Sequence, residues 1–235
     1  MAPAGASEAQ PPLSEPEIER FKRAAARASA ELVQDGMRVG LGTGTTVAFL
    51  LQALGERADA LRATRCVATS PATAQIARGL GLEVVELDQL DGLDIAIDGA
   101  DQVDERGWLV KGGGGAHTRE KIVAAAAARF VVIVSANKQV ARVGPPVPLE
   151  VLRFGERHTL QALGQARLRE GPPSPDGNLL ADYLGSFDDP ALLAERASAT
   201  PGVVEHGLFE PAMVSEIFSA GPSGVSRRAG GKAAG

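Results

Sequence analysis

The 235 residues are 44% hydrophobic, enough for one large domain or two unequal ones, and lysine plus arginine total 24 against 29 acidic residues. This mildly acidic balance argues against a general nucleic-acid binder, which carries a net basic face. No apolar run reaches the ~18 residues of a membrane span, and the single cysteine, Cys66, excludes an internal disulfide framework and suits a reducing compartment.

The opening MAPAGASEAQPPLSEPE has neither the basic nor the apolar region of a secretory signal, and residues 1–14 read as a disordered tail. A cytoplasmic protein is the expectation. Glu15 to Gln34 predicts a helix, with Ile18, Phe21, Ala25, Ala28 and Leu32 near one face. MRVGLG then predicts a buried strand, Val47 to Leu54 a helix, RCVATS a strand and Ala72 to Leu80 a helix. LEVVEL and Leu93 to Asp98 predict two more strands, Thr118 to Arg129 an alanine-rich helix, and FVVIVS a fifth strand. Short β-branched strands alternating with helices imply a doubly wound, mostly parallel α/β sheet. Cys66, within RCVATS, fits a small buried residue better than a nucleophile.

The pattern changes at the Pro-dense run Val143 to Leu149, which reads as a linker. Beyond it the expectation is a strand at LEVLRF, a helix over Thr159 to Arg169, a strand over Asn178 to Leu184, a helix over Pro190 to Ala199 and a strand near Val203. That run is too short for a second doubly wound domain and reads as a small α+β lid over 148–203. GLF and EIFSAG are expected to return to the main sheet, so 15–147 and 204–235 form the larger domain, and the end RRAGGKAAG is expected to fray.

Ligands of open parallel sheets bind beyond the carboxyl ends of the strands, and three polar clusters fall there. The first, Gly42-Thr43-Gly44-Thr45-Thr46, lacks the Walker lysine and the last glycine of the dinucleotide fingerprint. A helix N-terminus with hydroxyls still suits a phosphate monoester, although a bare strand-to-helix turn has the same appearance. The second is IDGADQVD, where Asp98 and Asp101 suit sugar hydroxyls or a metal, or form an ordinary acidic turn. With three histidines in the chain and none beside this cluster, a transition-metal site is not expected. The third is LVKGGGGAHTREKI. Four consecutive glycines cost chain entropy and let backbone N–H groups converge on an oxyanion, with Lys111 as an adjacent cation. Thr118 is the expected N-cap, which puts Glu120 in the first helical turn, where the helix dipole favours an ionised carboxylate base. His117 is either a supporting residue or incidental, and His158 and His206 carry no motif.

In order, VGLGTGTT, AIDGADQVD, LVKGGGGAHTREKI, SANKQV, PVPLEV, PDGN and PGVVEHGLF resemble the ribose-5-phosphate isomerase family of type A. The resemblance covers nearly everything between the tails and implies a Rossmann-like domain with a smaller α+β lid, in a homodimer or a dimer of dimers. It implies interconversion of ribose 5-phosphate and ribulose 5-phosphate in the pentose phosphate pathway, with no metal and no cofactor. By motif, Thr43, Gly44, Thr45 and Thr46 line the phosphosugar site, while Asp98, Gly99, Ala100, Asp101, Lys111, Gly112, Gly113 and Gly114 meet the reacting end. Glu120 matches the catalytic base, aided by Asp98 and Lys111. Lys138 matches a substrate-contacting lysine, and Lys22 a lysine that reaches the phosphate. Gln102, Gly115, His117, Thr69-Ser70 and SPDGN depart from the usual pattern without removing a residue that the mechanism requires.

Three rivals are set aside. A sugar-phosphate deaminase or a coenzyme-A transferase of similar fold is expected to lack the combined KGGGG, TRE and NKQV arrangement. A non-catalytic sugar-phosphate sensor carries a helix-turn-helix ahead of its ligand domain, and about 35 residues before the first strand leave too little room for one.

Overall fold

The computed structural model describes residues 13–232, so residues 1–12 of the expected disordered tail lie outside the described residues. In chain order it runs α1 (Glu15–Ala30), β1 (Arg38–Leu41), α2 (Thr45–Gly55), β2 (Arg65–Ala68), α3 (Pro71–Gly79), β3 (Glu83–Val84) and β4 (Leu93–Asp98). Two short strands, β5 (Gln102–Asp104) and β6 (Leu109–Val110), precede α4 (His117–Ala126), β7 (Ala127–Ser135) and β8 (Gln139–Val140). Then come β9 (Val147–Val151), α5 (Glu156–Leu163), β10 (Ala166–Leu168), β11 (Leu179–Tyr183), α6 (Pro190–Ala199) and β12 (Val203–His206). The chain closes through β13 (Leu208–Phe209), β14 (Glu216–Gly221) and β15 (Gly224–Ala229).

The main sheet has the order β15-β14-β7-β4-β1-β2-β3, parallel throughout except for the antiparallel β15. Its central strands read as continuous apolar runs because both faces are covered. On one face Leu41, Leu50, Ile97 and Ile133 pack with Phe21 and Ala25 of α1. On the other, Leu93, Phe130 and Val132 pack with Val123 and Ala124 of α4. The strand order reverses between β1 and β4, so the loops that follow these two strands diverge and leave a crevice between them.

A second sheet, β10-β11-β9-β12, packs with α5 and α6 around Leu149, Leu163 and Leu193. Small strands make the third, β13-β6-β5-β8, which carries the glycine loop after β6.

Several elements differ from the sequence reading. Helix α4 stops at Ala126 instead of Arg129, because Ala127 already pairs with Leu93 in the main sheet. The helix expected to Arg169 ends at Leu163, where Gly164 turns with φ 84° and Ala166 to Leu168 pair with β11. LEVVEL contracts to two strand residues. Val147 and Pro148, read as linker, belong to β9, and the expected boundary at 203/204 falls inside β12. GLF joins β6 in the third sheet and not the main one, since Leu208 and Phe209 pair with Val110 and Leu109. RRA is no frayed end: Arg227, Arg228 and Ala229 pair with β14.

Candidate active site

Beyond β1 the chain turns through Gly42 and enters α2 at Thr45. A side chain at Gly42 would force Asp98 at the end of β4 to move, because its Cβ would lie 1.9 Å from Oδ1 of Asp98. The Thr43 hydroxyl meets that of Thr69 at 2.7 Å, and Thr73 donates to the Gly42 carbonyl at 3.0 Å, so β2 and α3 fix the loop. Thr69 stood out in the sequence only as part of the Thr69-Ser70 departure from the family pattern, and Thr73, which carries no motif of its own, gave no signal. The first turn of α2 leaves amides without helical partners, which attract an anion. Lys22 reaches over from α1 to donate to the Thr45 hydroxyl at 2.8 Å. One end of the crevice is therefore cationic.

At the other end three ionisable groups share one buried position. Lys111 Nζ donates to Asp98 Oδ2 at 2.8 Å and to the Gly99 carbonyl at 2.6 Å, and lies 3.1 Å from Glu120 Oε2. That last contact is an ion pair without an aligned hydrogen bond, since Glu120 Oε2 has no hydrogen-bond partner among the described residues. All three side chains are under 5% exposed. Burial pushes the Glu120 carboxyl up to about 8, reinforced by the Asp98 charge and opposed by Lys111. Burial also raises Asp98, against the pull of Lys111. Although burial disfavours its charge, Lys111 is held above the usual lysine value by the two carboxylates. Two acids competing for one ammonium cannot both ionise freely. This overturns the expected depression of Glu120 by the helix dipole, which is a smaller effect than desolvation.

The cleft is lined by Thr43, Gly44, Thr45, Thr46, Gly99, Ala100, Asp101, Lys111, Gly112, Gly113, Gly114, Glu120 and Lys138, together with Lys22. Asp98 is the exception. It sits behind the wall, where its carboxylate accepts from Lys111, Gly99 N–H and Thr43 N–H. Asp101 accepts from Gly113 N–H at 2.7 Å, and Gly115 N–H bonds the Gly112 carbonyl. Of the four glycine amides, those of the buried Gly112 and the exposed Gly114 carry no hydrogen bond among the described residues. The glycine loop is thus partly self-satisfied, and fewer amides face a ligand than four glycines suggest.

Helix α4 begins at His117 with Ala116 as its N-cap, so the Thr118 hydroxyl is free for another partner. His117 is fully buried and His206 nearly so, and burial pushes each down to about 4, leaving both neutral. No group of three or more metal-ligating side chains is gathered among the described residues.

Fold and cleft together define a doubly wound α/β protein whose crevice has lysines, hydroxyls and a helix N-terminus at one end and a buried carboxylate–lysine pair at the other. The family model for ribose 5-phosphate isomerase A (phosphoriboisomerase A) matches residues 65–224. The ribose-5-phosphate isomerase A of Roseiflexus castenholzii is 44% identical over 219 residues, 87% of this chain and 93% of its own. That of a Synechococcus species is 46% identical over 88% of this chain and 96% of its own. The solved enzyme from Methanocaldococcus jannaschii superposes with a TM-score of 0.85 at 35% identity, covering 90% of this chain and 99% of its own. A D-ribose-5-phosphate isomerase solved in complex with phospho-erythronic acid gives 0.85 at 32%, covering 90% and 99%. The chain belongs to the ribose 5-phosphate isomerase A family.

Proposed function

We propose that this protein interconverts ribose 5-phosphate and ribulose 5-phosphate through an enediolate, with Glu120 moving the carbon-bound proton. The observation that carries this is a buried carboxyl held near pH 8, lining the cleft and 3.1 Å from a lysine ammonium. A general base works best with a pKa near the working pH. Glu120 takes the proton from C2 and returns one to C1, a single base serving both carbons on one face of the sugar. The proton on O2 is lost as that on O1 is gained. Lys111 and the Gly114 amide stabilise the negative oxygen between those steps, because preorganised donors are strongest where water is scarce. Asp98 fixes the Lys111 ammonium and stays clear of substrate. Asp101 orients a hydroxyl or assists ring opening.

The opposite end takes the phosphate. Lys22, Lys138 and Thr43 to Thr46 at the start of α2 supply cations, hydroxyls and unpaired amides there. Family membership, together with a relative solved with a phosphorylated sugar acid, supports a phosphopentose as the ligand. It also supports a cytoplasmic homodimer or dimer of dimers, which light scattering tests directly. No helix among the described residues is long and apolar enough to cross a membrane.

Isomerisation of ribose 5-phosphate, followed in excess chelator, tests the assignment. Full activity supports it, and an inactive folded protein overturns it. Lys111→Ala is expected to lower kcat with little change in KM, and a rise in KM alone makes Lys111 a binding residue only.

A further inference from the structure

Around Glu120, the first turns of α4 are tied to the small sheet. His117 Nε2 lies 3.4 Å from the Glu205 carbonyl, and Arg119 forms a bidentate pair with Asp176 in the turn before β11. Lys121 binds the Glu205 carboxylate and the His206 carbonyl, each at 2.7 Å. Thr118 donates to Glu150 of β9 at 2.5 Å. Among these neighbours Glu120 alone lines the cleft.

The ties are unequal. Arg119 and Asp176 are 37% and 41% exposed, so water and salt weaken their pair. Glu150 is fully buried, and no basic side chain lies within salt-bridge distance of it among the described residues. Its second oxygen accepts from the Ser174 hydroxyl at 2.6 Å and the Asn178 amide at 2.8 Å. A buried carboxylate is tolerated only when such donors replace its water. These donors lock Glu150, so Thr118 bonds to a fixed point. Residues two apart on an α-helix point about 200° away from one another. The Thr118 bond therefore holds the helix from the side opposite Glu120.

The same sheet fixes the glycine loop. Arg169, in a bidentate pair with Asp182 of β11, donates to the Gly112 carbonyl at 2.7 Å. Gly112, at φ 107°, leaves no room for a Cβ, which would lie 2.6 Å from His117 and 2.8 Å from Pro148.

We propose that Glu150 is a positioning residue that acts through Thr118, fixing the first turn of α4 on the small sheet and thereby setting the Glu120 carboxylate against Lys111. This rests on the isomerase reading above and deepens it. The small sheet then serves as a buttress for the reacting end of the cleft, none of whose lining residues it supplies.

The test compares Thr118→Val and Thr118→Ser with the wild-type protein on ribose 5-phosphate. Thr118→Val keeps the shape and removes the hydroxyl. It is expected to lower kcat about tenfold or more while KM stays within about twofold. As Glu120 drifts from Lys111, the midpoint of its rising kcat/KM limb moves to higher pH. Thr118→Ser is expected to restore both. If Thr118→Val fails to fold, Thr118→Ala, which leaves space for a water, gives the same readout. A folded Thr118→Val or Thr118→Ala with wild-type kcat overturns the proposal. So does a loss that serine fails to reverse, or a change in KM alone. An inactive wild type overturns the isomerase reading instead.

Discussion

Glu120, Asp98 and Lys111 place two carboxylates and one ammonium in a space almost free of water. The folded state consequently holds a proton on Glu120 more tightly than the unfolded chain does, at about 8 against 4.5. The resulting stability is fully present below pH 4.5 and is lost as pH rises through about 8. Thermal melts of Glu120→Gln, which leaves a balanced Asp98–Lys111 pair, are thus expected to fall less between pH 5 and 9 than those of the wild type. Equal slopes would place the titration elsewhere. If Glu120 is the base, the same ionisation is expected to make kcat/KM rise with pH to a plateau above about 8, which a pH–rate profile checks. Lys111→Ala leaves both acids buried without their cation and is expected to cost about 3–5 kcal/mol in chemical denaturation. At this scale the sequence was informative about identity and weak about state. A glutamate in the first turn after four glycines is visible locally. The burial and the Asp98 charge that raise it come from β4, remote in sequence. Asp98 was legible as an acid past a strand, but its place behind Lys111 depends on packing. Glu150 lay within the PVPLEV segment with no role of its own and Arg169 gave no signal, since each bonds to a partner far along the chain.

At the level of elements, the loop between β1 and α2 works only because two strand ends approach closely. Gly42→Ala is expected to displace Asp98 and cost about 1–3 kcal/mol by overpacking, with a loss of kcat as Lys111 loses its partner. Denaturation and kinetics on the same preparation check this, and a variant neutral in both would show that the loop yields freely. The parallel strands and flanking helices were readable because buried β-branched runs bounded by glycine are distinctive. Strand Leu93–Asp98 and helix Pro190–Ala199 fall where the sequence puts them. Helix ends were less legible. Alanine-rich Ala124 to Arg129 favours a helix by propensity, yet pairing with β4 claims its last residues for β7. The two-residue strands of the third sheet lie below the length at which alternation is detectable, and so GLF was assigned to the wrong sheet.

Across the whole molecule, the crevice at the strand-order reversal divides the work. On the proposed reading, helix α2 with Lys22 from α1 forms the anion end, and the β4 and β6 loops with α4 form the reacting end. The small sheet backs the second of these through Glu150, Arg169 and Glu205. On the same reading, a chain of net charge −5 presents Lys22 and Lys138 where the substrate's phosphate is to be held. In the proposed mechanism, turnover depends most heavily on a single proton-transfer group, Glu120, at the far end of that crevice. Turnover of ribose 5-phosphate by Glu120→Gln, in protein shown by circular dichroism to be folded, tests it most directly. The expected result is a fall in kcat of about a hundredfold or more with KM little changed, and a folded variant turning over at the wild-type rate would contradict it.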